Sequence, residues 1–173
     1  MHPYDDFIEK LSEKTSLNSF LALSLEKLNQ QVEQLIQRVF RKTDFALASV
    51  VNSLFEHQGP LSDFTVQLKL LLGLGVISDQ IYEDINRLYE TQLTLTHCSD
   101  ELAFSNTVAL ELSKQLHYVD YSTLNTLFKQ LPTLSSDSML FQIQQHRLEK
   151  AVRSSFILAL TNILEQLDVE SPL

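Results

Sequence analysis

Glycine, proline, cysteine and positive charge are all scarce in this chain of 173 residues. Three glycines and four prolines are too few for the many tight turns of a sandwich or barrel. The single cysteine, Cys98, cannot form an intramolecular disulfide. That fits a reducing compartment and a buried or inert thiol. Thirteen Lys and Arg face 22 Asp and Glu, giving a formal charge of -9. Such a chain is a poor general ligand for nucleic acid, whose phosphates need neutralising. The balance favours protein partners and still allows a small basic face. No apolar run approaches the roughly 18 residues of a membrane helix, and residues 2–11 are too polar for a secretory signal. The expected location is the cytoplasm, without membrane contact.

What is present is helix-forming. Leu, Gln, Glu and Ala dominate many segments, and 44% of the residues are hydrophobic. These residues lose little on entering a helix. The expected fold is all-α, a single-domain multi-helix bundle over residues 1–173 with long terminal helices. A short peripheral helix is expected within residues 1–14, over Asp5 to Glu13. Ser16 should cap a helix reaching Phe40, because Leu17, Phe20, Leu21, Leu28, Val32, Leu35, Ile36 and Val39 recur at intervals of three and four.

Further helices follow the same signals. Thr43 would cap a helix from Asp44, with Phe45, Leu47, Ala48, Val51, Leu54 and Phe55 on its apolar side. Gly59 and Pro60 break it. The next helix starts at Leu61 or Ser62 and ends near Gly73 and Gly75, which permit unusual turn angles. Ser78 should cap another helix carrying Ile81, Ile85, Leu88 and Leu95. A helix then runs toward Leu116, and a short one lies between Tyr118 and Pro132. Asp137 or Ser138 caps the last, with Leu140, Ile143, Leu148, Val152, Phe156, Leu160 and Leu164 along it.

Catalytic and metal-binding patterns do not emerge. His57, His97, His117 and His146 are scattered, and no H-E-x-x-H, C-x-x-C, Walker or dinucleotide glycine pattern occurs. Asp44 and Asp63 suit first helical turns, where carboxylates meet exposed amides. Catalytic residues, metal ligands and cofactors are therefore assigned to none. Phe40, Phe45, Phe55, Phe64 and Phe104 are expected in the core, with Phe141 and Phe156 joining them near the end.

The segment Leu68 to Glu90 has the outline of a helix-turn-helix. Its would-be reading helix carries Asp79, Glu83, Asp84 and Glu90 against Arg87, the wrong charge for a DNA groove. The basic residues that could form a regulatory contact surface are Arg38, Arg41, Lys42, Lys69, Arg147, Lys150 and Arg153. Gly59, Pro60, Gly73 and Gly75 are expected to shape turns, while Leu68, Leu71 and Leu72 secure the scaffold.

Several ordered blocks run along the chain: Val39-Phe40-Arg41-Lys42, Gly59-Pro60-Leu61, Leu68-Lys69-Leu70, Gly73-Leu74-Gly75-Val76-Ile77 and Tyr82-Glu83-Asp84. Gln142-Ile143-Gln144 and Ala151-Val152-Arg153-Ser154 add a second group. Together they resemble the bacterial mannitol operon repressor family, and the resemblance covers Ser19 to Leu167. At Thr96-His97-Cys98-Ser99 only the histidine keeps the family pattern, which resumes at Ala103-Phe104. The resemblance implies an all-helical cytoplasmic regulator that represses mannitol-utilisation genes, without implying direct operator binding. Three readings stay open: a repressor working through a protein partner, with a homodimer compatible; a noncatalytic helical adaptor outside mannitol regulation; and a direct DNA-binding repressor.

Overall fold

The computed structural model describes residues 2–40, 53–54, 56, 59 and 61–169. Among them the regular structure is helical, in the order α1 (Asp5–Ser12), α2 (Leu17–Val39), α3 (Phe64–Gly73), α4 (Asp79–Thr96), α5 (Thr107–Gln115), α6 (Tyr121–Gln130), a 3-10 turn (Leu131–Thr133) and α7 (Met139–Leu167). The all-α expectation holds, including the long helix near each end. The helix expected from Asp44 lies outside the described residues apart from Ser53 and Leu54, which are helical.

The helix starts follow from short polar side chains. Ser16 accepts from the amide of Ser19, Ser78 from that of Ile81 and Ser138 from that of Phe141. Each satisfies an amide that has no partner inside its helix. Asn106 and Asp120 do the same for α5 and α6. Asp63, assigned by its sequence position to capping or a first turn, is the cap of α3 and accepts from the amides of Thr65 and Val66. That helix begins at Phe64, later than the expected Leu61 or Ser62.

α2 lies at the centre and packs against α4, α3, α7 and α1. Its buried stripe of Leu17, Phe20, Leu21, Leu28, Val32, Leu35 and Ile36 is the one its periodicity indicated. Phe20 meets Phe104 edge-on at a centroid distance of 5.4 Å and Phe156 of α7 at 6.1 Å. The loop between α4 and α5 is fixed over this cluster by Asn18. Its side-chain oxygen accepts from the amide of Leu102 at 2.8 Å, and its nitrogen donates to the carbonyl of Asp100 at 3.1 Å.

The N-terminal helix, expected at the periphery, contributes Tyr4, Phe7 and Leu11 to the same core. Most of its packing is against α7. Tyr4 donates its hydroxyl to the carbonyl of Leu164 at 3.3 Å, and the His2 ring lies 3.0 Å from Glu165.

Candidate contact surfaces

The expected basic residues divide by what their side chains already do. Arg38, half-buried at the end of α2, donates Nη2 to the carbonyl of Leu167 at 2.8 Å. It supplies positive charge where the last carbonyls of α7 need it. Arg153, also half-buried, donates Nη1 to the carbonyl of Lys14 at 3.1 Å, and its guanidinium carbon lies 5.8 Å from the Phe104 ring centre. Both join separate parts of the fold. Lys69 on α3 and Arg147 and Lys150 on α7 are exposed. Arg41 and Lys42 lie outside the described residues.

Among the described residues, Arg38 and Arg147 stand well apart. Arg38 is fixed to Leu167, and Arg147 sits on the same helix twenty positions earlier. At 1.5 Å per residue the two regions of α7 are about 30 Å apart. Arg147 and Lys150 lie within one turn of each other.

A different feature accompanies that pair. Met139, Leu140 and Ile143 are 76%, 52% and 50% exposed. Sequence reading placed Leu140 and Ile143 with the core residues of this helix. At about 100° per residue, however, Leu148, Val152, Phe156, Leu160 and Leu164 share a face that these two do not. That phase difference was the available signal. The first turns of α7 therefore present apolar side chains to solvent, with Arg147 and Lys150 next along the stripe. These exposed apolar side chains make the first turns of α7 a candidate contact surface.

The helix-turn-helix outline has a structural explanation. α3 and α4 pack against each other and against α2, so α4 is a scaffold helix with Ile81, Ile85, Leu88 and Leu95 buried. Its Asp84 is 0% exposed. Oδ1 accepts from the amide of His117 at 2.7 Å and Oδ2 from that of Tyr118 at 3.0 Å. Burial pushes the Asp84 carboxyl above the usual aspartate range, and these two donated bonds pull the other way without cancelling it. Glu83, one position earlier, meets the His117 ring nitrogen Nε2 at 2.6 Å. The acidic residues of α4 thus hold the entry to α6, and Asp79 and Glu90 face solvent.

Gly75 adopts φ +72°, and Gly73 is an ordinary helical residue at the end of α3. At Gly59 a side chain would strike the Leu54 carbonyl, while the Leu61 amide donates to that same oxygen at 2.8 Å. Pro60 lies outside the described residues, as do Asp44 and His57. Of the two readings of Cys98, buried or inert, burial is excluded, because the residue is exposed. Among the described residues no three His, Cys, Asp or Glu side chains are grouped to hold a metal, and no helix is long and apolar enough to cross a membrane.

The mannitol repressor family model matches residues 4–168. The chain belongs to that family. A mannitol operon repressor of Escherichia coli strain K12 is 35% identical over 163 residues, covering 94% of this chain and 81% of the relative. The family is regulatory by its members' names, and this member is a transcriptional regulator rather than an enzyme. The X-ray structure of the MtlR–HPr complex from Escherichia coli contains a chain that superposes with a TM-score of 0.83 at 34% identity, covering 95% of this chain and 98% of that one. A possible transcriptional regulator, YggD from Shigella flexneri, shares the fold with a TM-score of 0.77 at 23% identity, over 96% and 99% of the two chains.

Proposed function

We propose that this family member represses mannitol-operon expression in the cytoplasm by docking onto protein partners, HPr among them. Residues 1–173 would act as one helical unit. The observation that carries the partner reading is the similarity, across 95% of this chain, to a protein solved as an HPr complex. Two further points support protein contact over DNA reading. The helix that looked like a reading helix is packed in the scaffold, and its outward side carries Asp79, Glu83 and Glu90. Those charges oppose a phosphate backbone.

The test has three readouts. Clean deletion should raise mannitol-operon transcripts in cells grown without mannitol. Calorimetric titration of the purified chain with HPr from the same cell should show saturable one-to-one binding. A mobility-shift titration with the operator should show no sequence-selective, salt-sensitive complex for the chain alone. Unchanged transcripts would remove the repressor role, and absence of HPr binding would remove that partner. A selective operator complex would establish direct readout in place of the protein-mediated route.

A further inference from the structure

Where α2, α3 and α4 pack against one another they leave a surface groove of about 300 Å³. Leu25, Glu26 and Asn29 line it from α2, Phe64 from the start of α3, and Tyr89 and Gln92 from α4. Leu25 and Asn29 are four positions apart and Tyr89 and Gln92 three, so each pair shares one face of its helix. Leu25 is buried, and Phe64 and Tyr89 are half-buried with ring centroids 5.4 Å apart. Glu26 and Asn29 are exposed, and Gln92 is half-buried. The side chains of Glu26, Asn29 and Gln92 and the Tyr89 hydroxyl have no hydrogen-bond partner among the described residues. The groove thus joins an aromatic pair to four polar groups with bonding capacity to spare.

That lining selects a class of ligand. A space of this size is at the lower end for small-molecule sites, so it suits a molecule of sugar size and not a peptide segment. A hydrocarbon would take water from four polar groups and return no hydrogen bond. An anion would meet the Glu26 carboxylate. A cation would find that carboxylate already balanced. Glu26 also lines the adjoining recess between α1 and α2, where Asp6 and Glu26 stand with Lys10 and Lys27, and Lys10 lies 2.8 Å from Asp6. A neutral molecule with several hydroxyls matches every wall. Hydroxyls donate and accept, as do the amides of Asn29 and Gln92 and the Tyr89 hydroxyl, while Glu26 accepts. The C–H surfaces of such a molecule would pack on the rings of Phe64 and Tyr89.

We infer that the groove between α2, α3 and α4 binds a small neutral polyhydroxy compound, a sugar alcohol or a sugar. Its open side leaves part of the ligand in water, which sets the affinity in the millimolar range. Binding here is independent of the repressor role. It is measured on the purified chain, whereas transcripts and HPr binding are measured separately, and either reading can fail alone. The family supplies only the choice of mannitol as the first probe.

The experiment is an amide-resolved NMR titration of the isotope-labelled full chain with D-mannitol, D-glucose and tetramethylammonium chloride in parallel. Mannitol, glucose or both should give saturable shifts at the groove residues of α2, α3 and α4. Saturation by mannitol alone assigns an acyclic ligand, and by glucose alone a cyclic one. Asn29→Ala and Gln92→Ala should each weaken that binding by roughly fivefold to tenfold, the loss of about one hydrogen bond. Glu26→Gln keeps an acceptor and should change it by no more than about twofold. Circular dichroism and thermal melting of the three variants should stay at wild-type values, which separates lost binding from lost fold. Absence of saturable shifts with both mannitol and glucose overturns the inference, as do shifts confined to another part of the chain. Wild-type affinity in both Asn29→Ala and Gln92→Ala overturns it too. Tighter binding of tetramethylammonium, abolished by Glu26→Gln, would make the groove a cation site instead.

Discussion

A carboxylate without exposed surface must be held by donors, and Asp84 has two. The amides of His117 and Tyr118 reach its two oxygens, which fixes the chain as it leaves α5 for α6. Asp84→Ala would leave both amides unbonded, at about 1–3 kcal/mol each. Asp84→Asn keeps one acceptor and should cost less. The raised carboxyl also has a pH signature. Because the folded state holds the proton more tightly than the unfolded chain, this group's contribution is complete below the ordinary aspartate range. It is lost as pH rises through the raised value. Urea unfolding of the wild-type chain and Asp84→Asn should therefore show the wild-type advantage shrinking from acidic toward neutral pH. A constant difference would mean that Asp84 titrates normally. Nothing adjacent to Asp84 in sequence announced this role: its donors lie more than thirty residues later, and an acid on a helix reads as a solvated one.

Among the elements, starts were legible and surfaces were not. Ser16, Ser78 and Ser138 were readable as caps because a hydroxyl before an apolar-periodic run has one local use, bonding the first free amides. The paired glycines between α3 and α4 looked equivalent in sequence. They differ because only Gly75 sits at positive φ, while Gly73 is helical with open space around its α-carbon. Gly75→Ala should cost about 1 kcal/mol through backbone strain. Gly73→Ala should stabilise by roughly 0.5–1 kcal/mol, because alanine loses less entropy in a helix. Thermal or urea melts of the two variants should move in opposite directions; a shared direction would contradict this assignment. The basic residues were harder to read, since Arg38 and Arg153 find their acceptors on distant segments. Only tertiary packing separates these fastened cations from the open ones at Arg147 and Lys150.

At the scale of the molecule, the core draws on α1, α2, α4 and α7 together. Phe20, Phe104 and Phe156 come from α2, the α4–α5 loop and α7, and each is nearly or fully buried. Phe156→Ala should cost about 3–5 kcal/mol and lower the unfolding midpoint of the whole chain in one transition. Loss of only part of the helical signal would show that α7 melts separately from the rest. The all-helical class followed from composition and period, and the order of helices from their caps. The arrangement around α2 required contacts that no local pattern carries. One of those contacts bears on synthesis. α1 is synthesised well before α7, yet its larger contact is with α7, and Tyr4 waits for the carbonyl of Leu164. Until α7 has been made, then, Phe7 and Leu11 have only part of their final cover. The nascent chain carries a sticky segment for that whole interval.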